Sequence, residues 1–400
     1  MSKFRNNIKL IHSLMSNPQI ILVSPAINVF LARYMNKFTM MDVGGQLILH
    51  SHLPAINSPA FTRFIKEQLL NRDSGPSHAQ IAVTDVCPQN CQYCYNKNRS
   101  GTRMETEDIK RAVQDLKKSG VIWLGLTGGE PLINPDLAEI VESIGPDCAV
   151  KLFTTGYGLT EQLAADLKRA GLFSVAISLD HWIEQEHDRI RGFPGAYQAA
   201  LSAIEILKKT AGIHISVSTV VTKDMNHTDQ VETFIKFLKG LGIHELWLSE
   251  AKPTVEAFQK KEFVITEDER LNLVSLQDRY NHEGKITINY LGHFEGREHF
   301  GCNAGNKMVY IDAFGEVSPC VFLPMTFGNI KDRPLPAILD EMRSCFPSEG
   351  SCFINKNYDL VREYGKGQTP ISREDSLNLM RQVRFGPMSK FSRHYYRRGV

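Results

Sequence analysis

The chain has 400 residues, enough for one large domain or a domain with appendages, and 42% hydrophobic and 22% charged residues are typical of a globular protein. A formal net charge of +2 gives no general electrostatic reason to bind nucleic acid or membranes, so nucleic acid is not an expected partner. The apolar stretch Ile20 to Leu31 contains Pro25 and Asn28, which excludes a membrane span, and no signal peptide is predicted. We therefore expect a cytoplasmic protein with reduced cysteines.

The first 75 residues are predicted to mix α and β structure and to end in a helix, Pro59 to Asn71. Six repeating units follow, and in each of them a β-branched apolar run precedes a helix or a loop that enters one. The predicted strands are Gln80 to Val86, Val121 to Thr127, Val150 to Thr154, Ser174 to Leu179, Ile213 to Val221 and Glu245 to Ser249. This alternation predicts parallel strands with right-handed crossovers, an α/β fold built as a partial (β/α)6 TIM-like barrel. Functional loops in such a barrel follow the C-terminal ends of the strands.

The barrel is expected to be one of five segments. They are a small α+β N-terminal segment (1–75), the barrel (76–250), a connecting helix and strand (251–300), a cysteine-bearing extension (301–360) and a basic tail (361–400). A capping box at Thr266 and Glu269 starts the connecting helix, and Ile286 to Tyr290 alternates as a strand. No role is predicted for the N-terminal segment.

Three cysteines stand in the loop after the first predicted strand. Cys87, Cys91 and Cys94 have a C-x3-C-x2-C spacing, and three thiolates in one loop can ligate three irons of a [4Fe-4S] cluster. The fourth iron then stays open to a substrate or cofactor. Electron-transfer clusters are normally closed by four cysteines, so the spacing favours an enzyme over a non-enzymatic electron carrier or redox sensor. A zinc site that lacks one ligand is the other interpretation.

This spacing, with Tyr93 directly before the third cysteine, resembles the signature of the radical S-adenosylmethionine (SAM) superfamily. The resemblance implies that the open iron binds the amino and carboxylate groups of SAM, with Tyr93 beside the adenine. It also implies one-electron cleavage of SAM to methionine and a 5'-deoxyadenosyl radical, with a flavodoxin- or ferredoxin-type donor.

The ends of two further predicted strands extend the resemblance. Gly128, Gly129 and Glu130 are similar to the GGE motif of the family, in which glycines let the backbone approach the SAM methionyl group and Glu130 or carbonyls accept bonds from its ammonium. Ser178 and Asp180 stand in a passage similar to the family's S-L-D, and both are expected to bind SAM.

Two questions about these strands stay open in the sequence. An ion pair between Asp180 and Arg191 is the alternative to SAM binding by Asp180. On the fifth strand, either Ser218 or Thr219 is expected to face the barrel interior, because successive strand residues point to opposite faces.

A second cysteine group follows the barrel. Cys302 and Cys320 flank a predicted hairpin, Met308 to Val317, in a C-x12-G-x4-C spacing that resembles the opening of SPASM and twitch extensions. The resemblance implies an auxiliary iron-sulfur cluster, which Cys345 and Cys352 would complete as in the single-cluster twitch type. Zinc binding, a free catalytic thiol, or a core role for Cys345 and Cys352 are the alternatives.

Together these motifs predict a radical SAM enzyme that abstracts hydrogen from a substrate in the barrel mouth. The substrate is a peptide or protein, which we prefer slightly, or a small biosynthetic intermediate. Cys148 is expected to be a small buried hydrophobe. Arg381 to Val400 is basic, lacks acids and is expected to be solvated or packed on the body rather than to bind an anion. Ile20 to Met40 is expected to pack as core rather than lie on a membrane.

Overall fold

The computed structural model describes residues 15, 17–71, 74–223, 225–226, 228–253, 264–366 and 369–396. The strands are β1 Met41–Val43, β2 Gln46–Ile48, β3 His78–Ala82, β4 Trp123–Thr127, β5 Ala149–Thr154, β6 Ser174–Ser178, β7 His214–Val221, β8 Glu245–Glu250, β9 Thr287–Tyr290, β10 Met308–Ile311 and β11 Val317–Ser318. The α-helices are α1 Pro25–Met35, α2 Pro59–Phe64, α3 Thr106–Lys118, α4 Leu137–Ile144, α5 Glu161–Arg169, α6 Glu184–Arg191, α7 Ala196–Lys209, α8 Thr228–Leu241, α9 Glu267–Glu283, α10 Leu291–Phe294, α11 Leu335–Cys345, α12 Phe353–Gly365, α13 Arg373–Gln382 and α14 Lys390–Tyr396.

The six predicted strands form the centre of the molecule. β3 to β8 pair as parallel neighbours in chain order, which confirms the α/β barrel with six units. The first strand is shorter than predicted, since β3 ends at Ala82 rather than Val86. The chain leaves the ladder there because the carbonyls of Thr84 and Val86 accept bonds from Gly129 N and Glu130 N, both at 2.7 Å.

The sheet continues beyond the barrel on both sides. β9, the strand predicted in the connecting segment, pairs parallel with β8. On the other side β10 pairs parallel with β3 and antiparallel with β11, so the predicted hairpin of the extension forms and joins the barrel sheet. The order is β11-β10-β3-β4-β5-β6-β7-β8-β9. The cysteine-bearing extension is therefore continuous with the strand that precedes the cysteine triplet.

The barrel strands bury both faces. Aliphatic side chains such as Leu152 and Ile177 pack outward against the helices, while Trp123 and Trp247 share a cluster inside the barrel. Ser218 pairs in register with Trp247, so Ser218 rather than Thr219 faces the barrel interior. Cys148, just before β5, is buried in the outer core with 4% of its surface exposed, as predicted.

The N-terminal segment closes the end of the barrel at which the strands begin. Ser51 N donates to Glu245 Oε2 at 2.7 Å, and Trp123 Nε1 donates to Ser51 O at 2.7 Å. Lys151 Nζ donates to Ser51 Oγ at 2.5 Å. Side chains of β4, β5 and β8 thus all bind Ser51, which lies in the loop after β2. Because this end is sealed, access to the interior lies at the C-terminal ends of the strands.

Lys151 makes the stability of the protein depend on pH. Its side chain is fully buried, with Nζ 3.7 Å from the centroid of the Trp247 ring, and burial lowers its pKa from 10.5 to about 7. Between these values the unfolded chain binds one more proton than the folded chain, so the free energy of unfolding rises with pH by about 1.4 kcal/mol per unit. Urea unfolding at pH 7.5 and 9 measures the slope. Lys151→Met should lose it and the exposed Lys118→Met should retain it; equal slopes in the two variants would contradict the assignment.

The apolar N-terminal stretch forms a 3₁₀ helix, Pro18–Leu22, followed by α1. α1 buries Ile27, Phe30 and Tyr34, so the expectation of core packing is confirmed for that face of the helix. Its other face is exposed. Among the helices of the described residues, none combines the length and apolar character needed to cross a bilayer.

Candidate functional site

The cysteine triplet lies where the sheet opens, in the loop between β3 and α3. Cys91 is buried, and Cys87 and Cys94 are half-buried. Burial, together with the charges of Glu130, Cys91 and Cys94, raises the pKa of Cys87 to about 11. The fold therefore brings the three predicted thiols into one electrostatically coupled group.

An arginine from α6 reaches this group. Arg191 Nη1 donates to Cys91 Sγ at 3.7 Å, and Arg191 Nη2 lies 2.7 Å from Asp180 Oδ2. Tyr93 OH also donates to Asp180, whose other carboxylate oxygen accepts from Val220 N at 3.1 Å. The Asp180–Arg191 ion pair is thus formed. It is not at the surface, because its side chains are only 2% and 8% exposed.

The two glycines after β4 permit a close approach of the cysteine loop. A Cβ on Gly129 would stand 2.0 Å from Val86 O, and one on Gly128, at φ +141°, would stand 2.3 Å from Thr84 O. The backbone that the glycines admit on the side of a Cβ is that of the cysteine loop, and their approach to the SAM methionyl group stays a prediction. Their physical role in this structure is to dock the two loops together.

The Glu130 side chain has partners within the protein. Its carboxylate is fully buried and accepts bonds from Leu132 N at 2.9 Å, Thr154 Oγ1 at 2.5 Å and Thr155 N at 2.7 Å. Thr155 Oγ1 donates as well. Because four donors occupy the carboxylate, only the backbone of Glu130 is available to a ligand's ammonium. Sequence analysis assigned no role to Thr154 and Thr155. It did not detect that their hydroxyls bind the buried carboxylate of Glu130.

Two serines line the interior near the mouth. Ser178 is the last residue of β6, is half-buried and pairs in register with Ser218. Both therefore present hydroxyls on the inner face, on the side of the barrel where the cysteine loop lies.

The second cysteine group lies around β10 and β11. Cys302 precedes β10, Cys320 follows β11, and Cys352 occupies the N-cap position of α12. Burial and then the charge of Cys352 raise the pKa of Cys320 to about 12. Cys302 is affected in the same way by burial and then by Cys352. Cys345 lies at the end of α11, with its Sγ 3.9 Å from Ser344 Oγ, and its place in the ligand set stays a prediction.

Charged side chains surround these three thiols. Lys252 Nζ lies 3.6 Å from Cys352 Sγ, 3.4 Å from Glu250 Oε2 and 3.7 Å from Glu295 Oε2. Although burial raises the pKa of Glu250, Lys252 and Arg270 lower it to about 2. A buried ammonium next to a thiol favours the thiolate, the form that binds metal. Sequence analysis missed Lys252, which follows β8 without any motif.

Two family models match these two regions. The model described as the Radical SAM superfamily matches residues 81–238, and the SPASM model, described as an iron-sulfur cluster-binding domain, matches residues 302–358. The chain belongs to the radical SAM superfamily. It is a radical SAM enzyme with a SPASM extension, and its two domains imply a SAM-binding [4Fe-4S] cluster and an auxiliary iron-sulfur cluster.

Proteins with several different names are similar to this radical SAM enzyme. An AdoMet-dependent heme synthase of Methanosarcina barkeri is 26% identical over 283 residues, 64% of this chain and 80% of the relative. The antilisterial bacteriocin subtilosin biosynthesis protein AlbA of Bacillus subtilis is 27% identical over 270 residues, 64% of this chain and 57% of AlbA. Streptococcus suis SuiB bound to its precursor peptide SuiA has a similar fold, with a TM-score of 0.57, 18% identity, and coverage of 81% of this chain and 80% of SuiB.

The residues present fit the radical SAM cofactors. Cys87, Cys91 and Cys94 share one loop, and the guanidinium of Arg191 lies against Cys91, where its charge favours a thiolate. Within the described part of the chain, no set of three or more Cys, His, Asp or Glu side chains is arranged to hold a single metal ion. A four-iron cluster is larger than an ion, so its ligands stand farther apart.

Removing Arg191 should destabilise the radical SAM domain. Arg191→Gln leaves the Asp180 carboxylate buried without its cation, which costs about 3–5 kcal/mol. Arg189→Gln, on the exposed face of the same helix, is the matched control because its ion pair with Glu186 lies in solvent. Urea unfolding of the reconstituted proteins compares the two. Equal losses would show that the buried pair contributes no more than a surface pair.

Proposed function

We propose that Cys87, Cys91 and Cys94 hold the SAM-binding cluster of this radical SAM enzyme. The observation that carries the proposal is the position of three thiols in one loop, after β3, at the open end of the barrel. When bound, the cluster supplies one electron to SAM, which yields methionine and a 5'-deoxyadenosyl radical. The residues proposed to bind SAM are Tyr93, Gly128, Gly129, Glu130 through its backbone, Ser178 and Asp180.

Arg191 and Asp180 are proposed to position this site. Arg191 balances the charge of the Cys91 thiolate, and Asp180 holds both Arg191 and the Tyr93 hydroxyl. A single buried carboxylate thereby fixes the cysteine loop and the tyrosine that we place beside the adenine. Because Asp180 also holds Tyr93, it is proposed to act on SAM through this tyrosine in addition to any direct contact.

Cys302, Cys320 and Cys352 are proposed to hold the auxiliary cluster, with Lys252 as a neighbouring cation that stabilises the thiolate of Cys352. Support comes from the coupling of the three thiols across β10 and β11. Cys345 is the fourth ligand expected from the sequence. The Cys345→Ala variant tests that expectation.

The segments divide the work in this proposal. Residues 1–75 close the barrel, and residues 76–250 generate the radical. Residues 251–300 complete the sheet and connect the two domains. Residues 301–360 hold the auxiliary cluster, and residues 361–400 form the tail. The electron comes from an external flavodoxin- or ferredoxin-type protein. The cytoplasm is the proposed compartment because the cysteines must stay reduced to bind iron.

We further propose that the substrate is a peptide. Support comes from similarity to AlbA, named for bacteriocin biosynthesis, and from the fold shared with SuiB, whose complex contains a precursor peptide. A small molecule is the second candidate, because heme synthases match a similar share of this chain.

Deuterium transfer distinguishes these substrates. Extracts of the native host grown in D₂O are divided into peptide and small-molecule fractions, and each is incubated anaerobically with reconstituted enzyme, unlabelled SAM and reductant. Deuterium in 5'-deoxyadenosine identifies the fraction that gives up hydrogen. We expect the label from the peptide fraction and its loss after protease treatment. If the label came from the small-molecule fraction and survived protease treatment, the substrate would be a small molecule and not a peptide.

A further inference from the structure

Both ends of the chain are basic and free of acids. Residues 1–41 contain five Lys or Arg and no Asp or Glu, and residues 381–400 contain six and none. Since the whole chain has 46 basic and 44 acidic residues, residues 42–380 carry 35 and 44, a formal charge of −9. The near-neutral total therefore hides a strong charge asymmetry. Of these basic residues, Lys3, Arg5, Lys9, Arg397 and Arg398 lie outside the described residues.

The fold brings these two ends together. α14 packs on α1, with the rings of Phe391 and Phe30 5.2 Å apart between centroids. Phe391 also contacts Phe300, at 4.9 Å, and Lys390 N donates to Arg297 O at 2.7 Å. The tail thus packs its aromatic residues on the body, as expected from the sequence. Its cations are consequently held beside those of α1.

The outer surface of this region exposes aliphatic side chains. Ile21 and Leu22, at the end of the 3₁₀ helix, are 80% and 76% exposed. Val29 is exposed on the outer face of α1 and lies one helical turn from both Ala26 and Arg33. Two adjacent, almost fully exposed aliphatic residues beside an apolar helix face are typical of a surface that contacts something apolar.

A cavity of about 260 Å³ opens between α1 and α14. Its floor includes Phe30, and Arg33, Lys37 and Lys390 also line it. The acids near it are Glu298, 3.7 Å from Lys390, and Asp278, 3.9 Å from Lys37 and outside the lining. The cavity therefore combines an apolar floor with cations, the arrangement that suits an anionic group attached to an apolar chain.

We propose that this surface, formed by the 3₁₀ helix, α1 and α14, binds an anionic phospholipid bilayer. Ile21, Leu22 and Val29 enter the boundary of the acyl chains, and Arg33 and Lys390 contact lipid phosphates. A nucleic acid would contact the cations but would not bury the exposed aliphatic side chains. Peripheral binding needs no membrane-spanning helix, and the proposal is independent of the proposed substrate.

Vesicle sedimentation of the full reconstituted chain tests the proposal. The probes are vesicles of phosphatidylcholine alone and of phosphatidylcholine with 30% phosphatidylglycerol. We expect at least about tenfold stronger binding to the anionic vesicles at 100 mM NaCl, and most of this difference should vanish at 500 mM. Equal binding to both compositions would overturn the proposal.

Two double variants separate the apolar and ionic contributions. Ile21→Ser with Leu22→Ser and Arg33→Gln with Lys390→Gln should each weaken binding at least about fivefold. Leu271→Ser and Lys118→Gln make the same chemical changes at exposed positions elsewhere and should bind like the wild type. Circular dichroism and 5'-deoxyadenosine formation confirm that each variant folds.

Two outcomes would overturn the assignment even if anionic vesicles bind the protein. The first is unchanged binding in both double variants. The second is salt-sensitive binding to a 20-nucleotide RNA that exceeds vesicle binding and is lost with Arg33→Gln and Lys390→Gln but not with the serine variants. That result would make the surface a nucleic-acid site.

Discussion

Cys91→Ser is expected to reduce 5'-deoxyadenosine formation by more than about 100-fold, because loss of a partner beyond the direct ligands already costs 10–100-fold and Cys91 is a proposed direct ligand. The buried thiol of Cys91 is also the one that Arg191 contacts. The measurement is the yield of 5'-deoxyadenosine from protein reconstituted without oxygen and supplied with SAM and dithionite. Iron content should fall from about eight to about four per chain.

Cys148→Ala is the matched control for this loss. Cys148 is a buried cysteine of the same domain, but it lies before β5, at the sealed end of the barrel. Its variant should keep both the iron and the activity, apart from a modest loss of stability. If Cys91→Ser retained full iron and full cleavage of SAM, the assignment of the triplet would be wrong.

Cys320→Ala is expected to remove the auxiliary cluster alone. Iron should fall to about four per chain, while the signal of SAM bound to the remaining cluster persists in electron paramagnetic resonance of the reduced protein. Cys302→Ala and Cys352→Ala should behave in the same way, because the three thiols form one coupled group. Iron analysis and spectroscopy of each variant measure these losses.

Cys345→Ala is the informative comparison. Since the pKa shifts of Cys302 and Cys320 have Cys352 and not Cys345 among their causes, we expect this variant to retain about eight irons. A loss equal to that of Cys320→Ala would restore Cys345 as the fourth ligand. About four irons and one zinc in the wild-type chain would instead identify the second site as a zinc site.

The spacing of local motifs carried most of the correct predictions. The triplet Cys87, Cys91 and Cys94 occupies one short loop, so its members had to lie together whatever the rest of the fold did. Strand and helix periodicity predicted the six parallel units, because each unit forms from neighbouring residues. The capping box at Thr266 and Glu269 was found for the same reason, with Thr266 Oγ1 accepting from Glu269 N at 3.3 Å.

The contacts that these motifs make within the fold were not predicted. Either Glu130 or backbone carbonyls were expected to accept bonds from SAM, and the Glu130 carboxylate is enclosed by Thr154 and Thr155 at the end of β5. A Cβ on Gly129 would meet the cysteine loop after β3. Each partner belongs to another β/α unit, and its distance depends on how the sheet curves. A single sequence does not contain that distance.

The sequence by itself determined the chemistry of this protein, because that chemistry resides in residue types at short spacings within single loops. Only the tertiary structure decided which groups meet across the fold. It placed Arg191 on Cys91, Ser51 in the sealed end of the barrel, and α14 on α1, residues separated by 100 positions or far more. Such contacts are set by the packing of the whole sheet and its helices, to which every element contributes, so no local pattern predicts them.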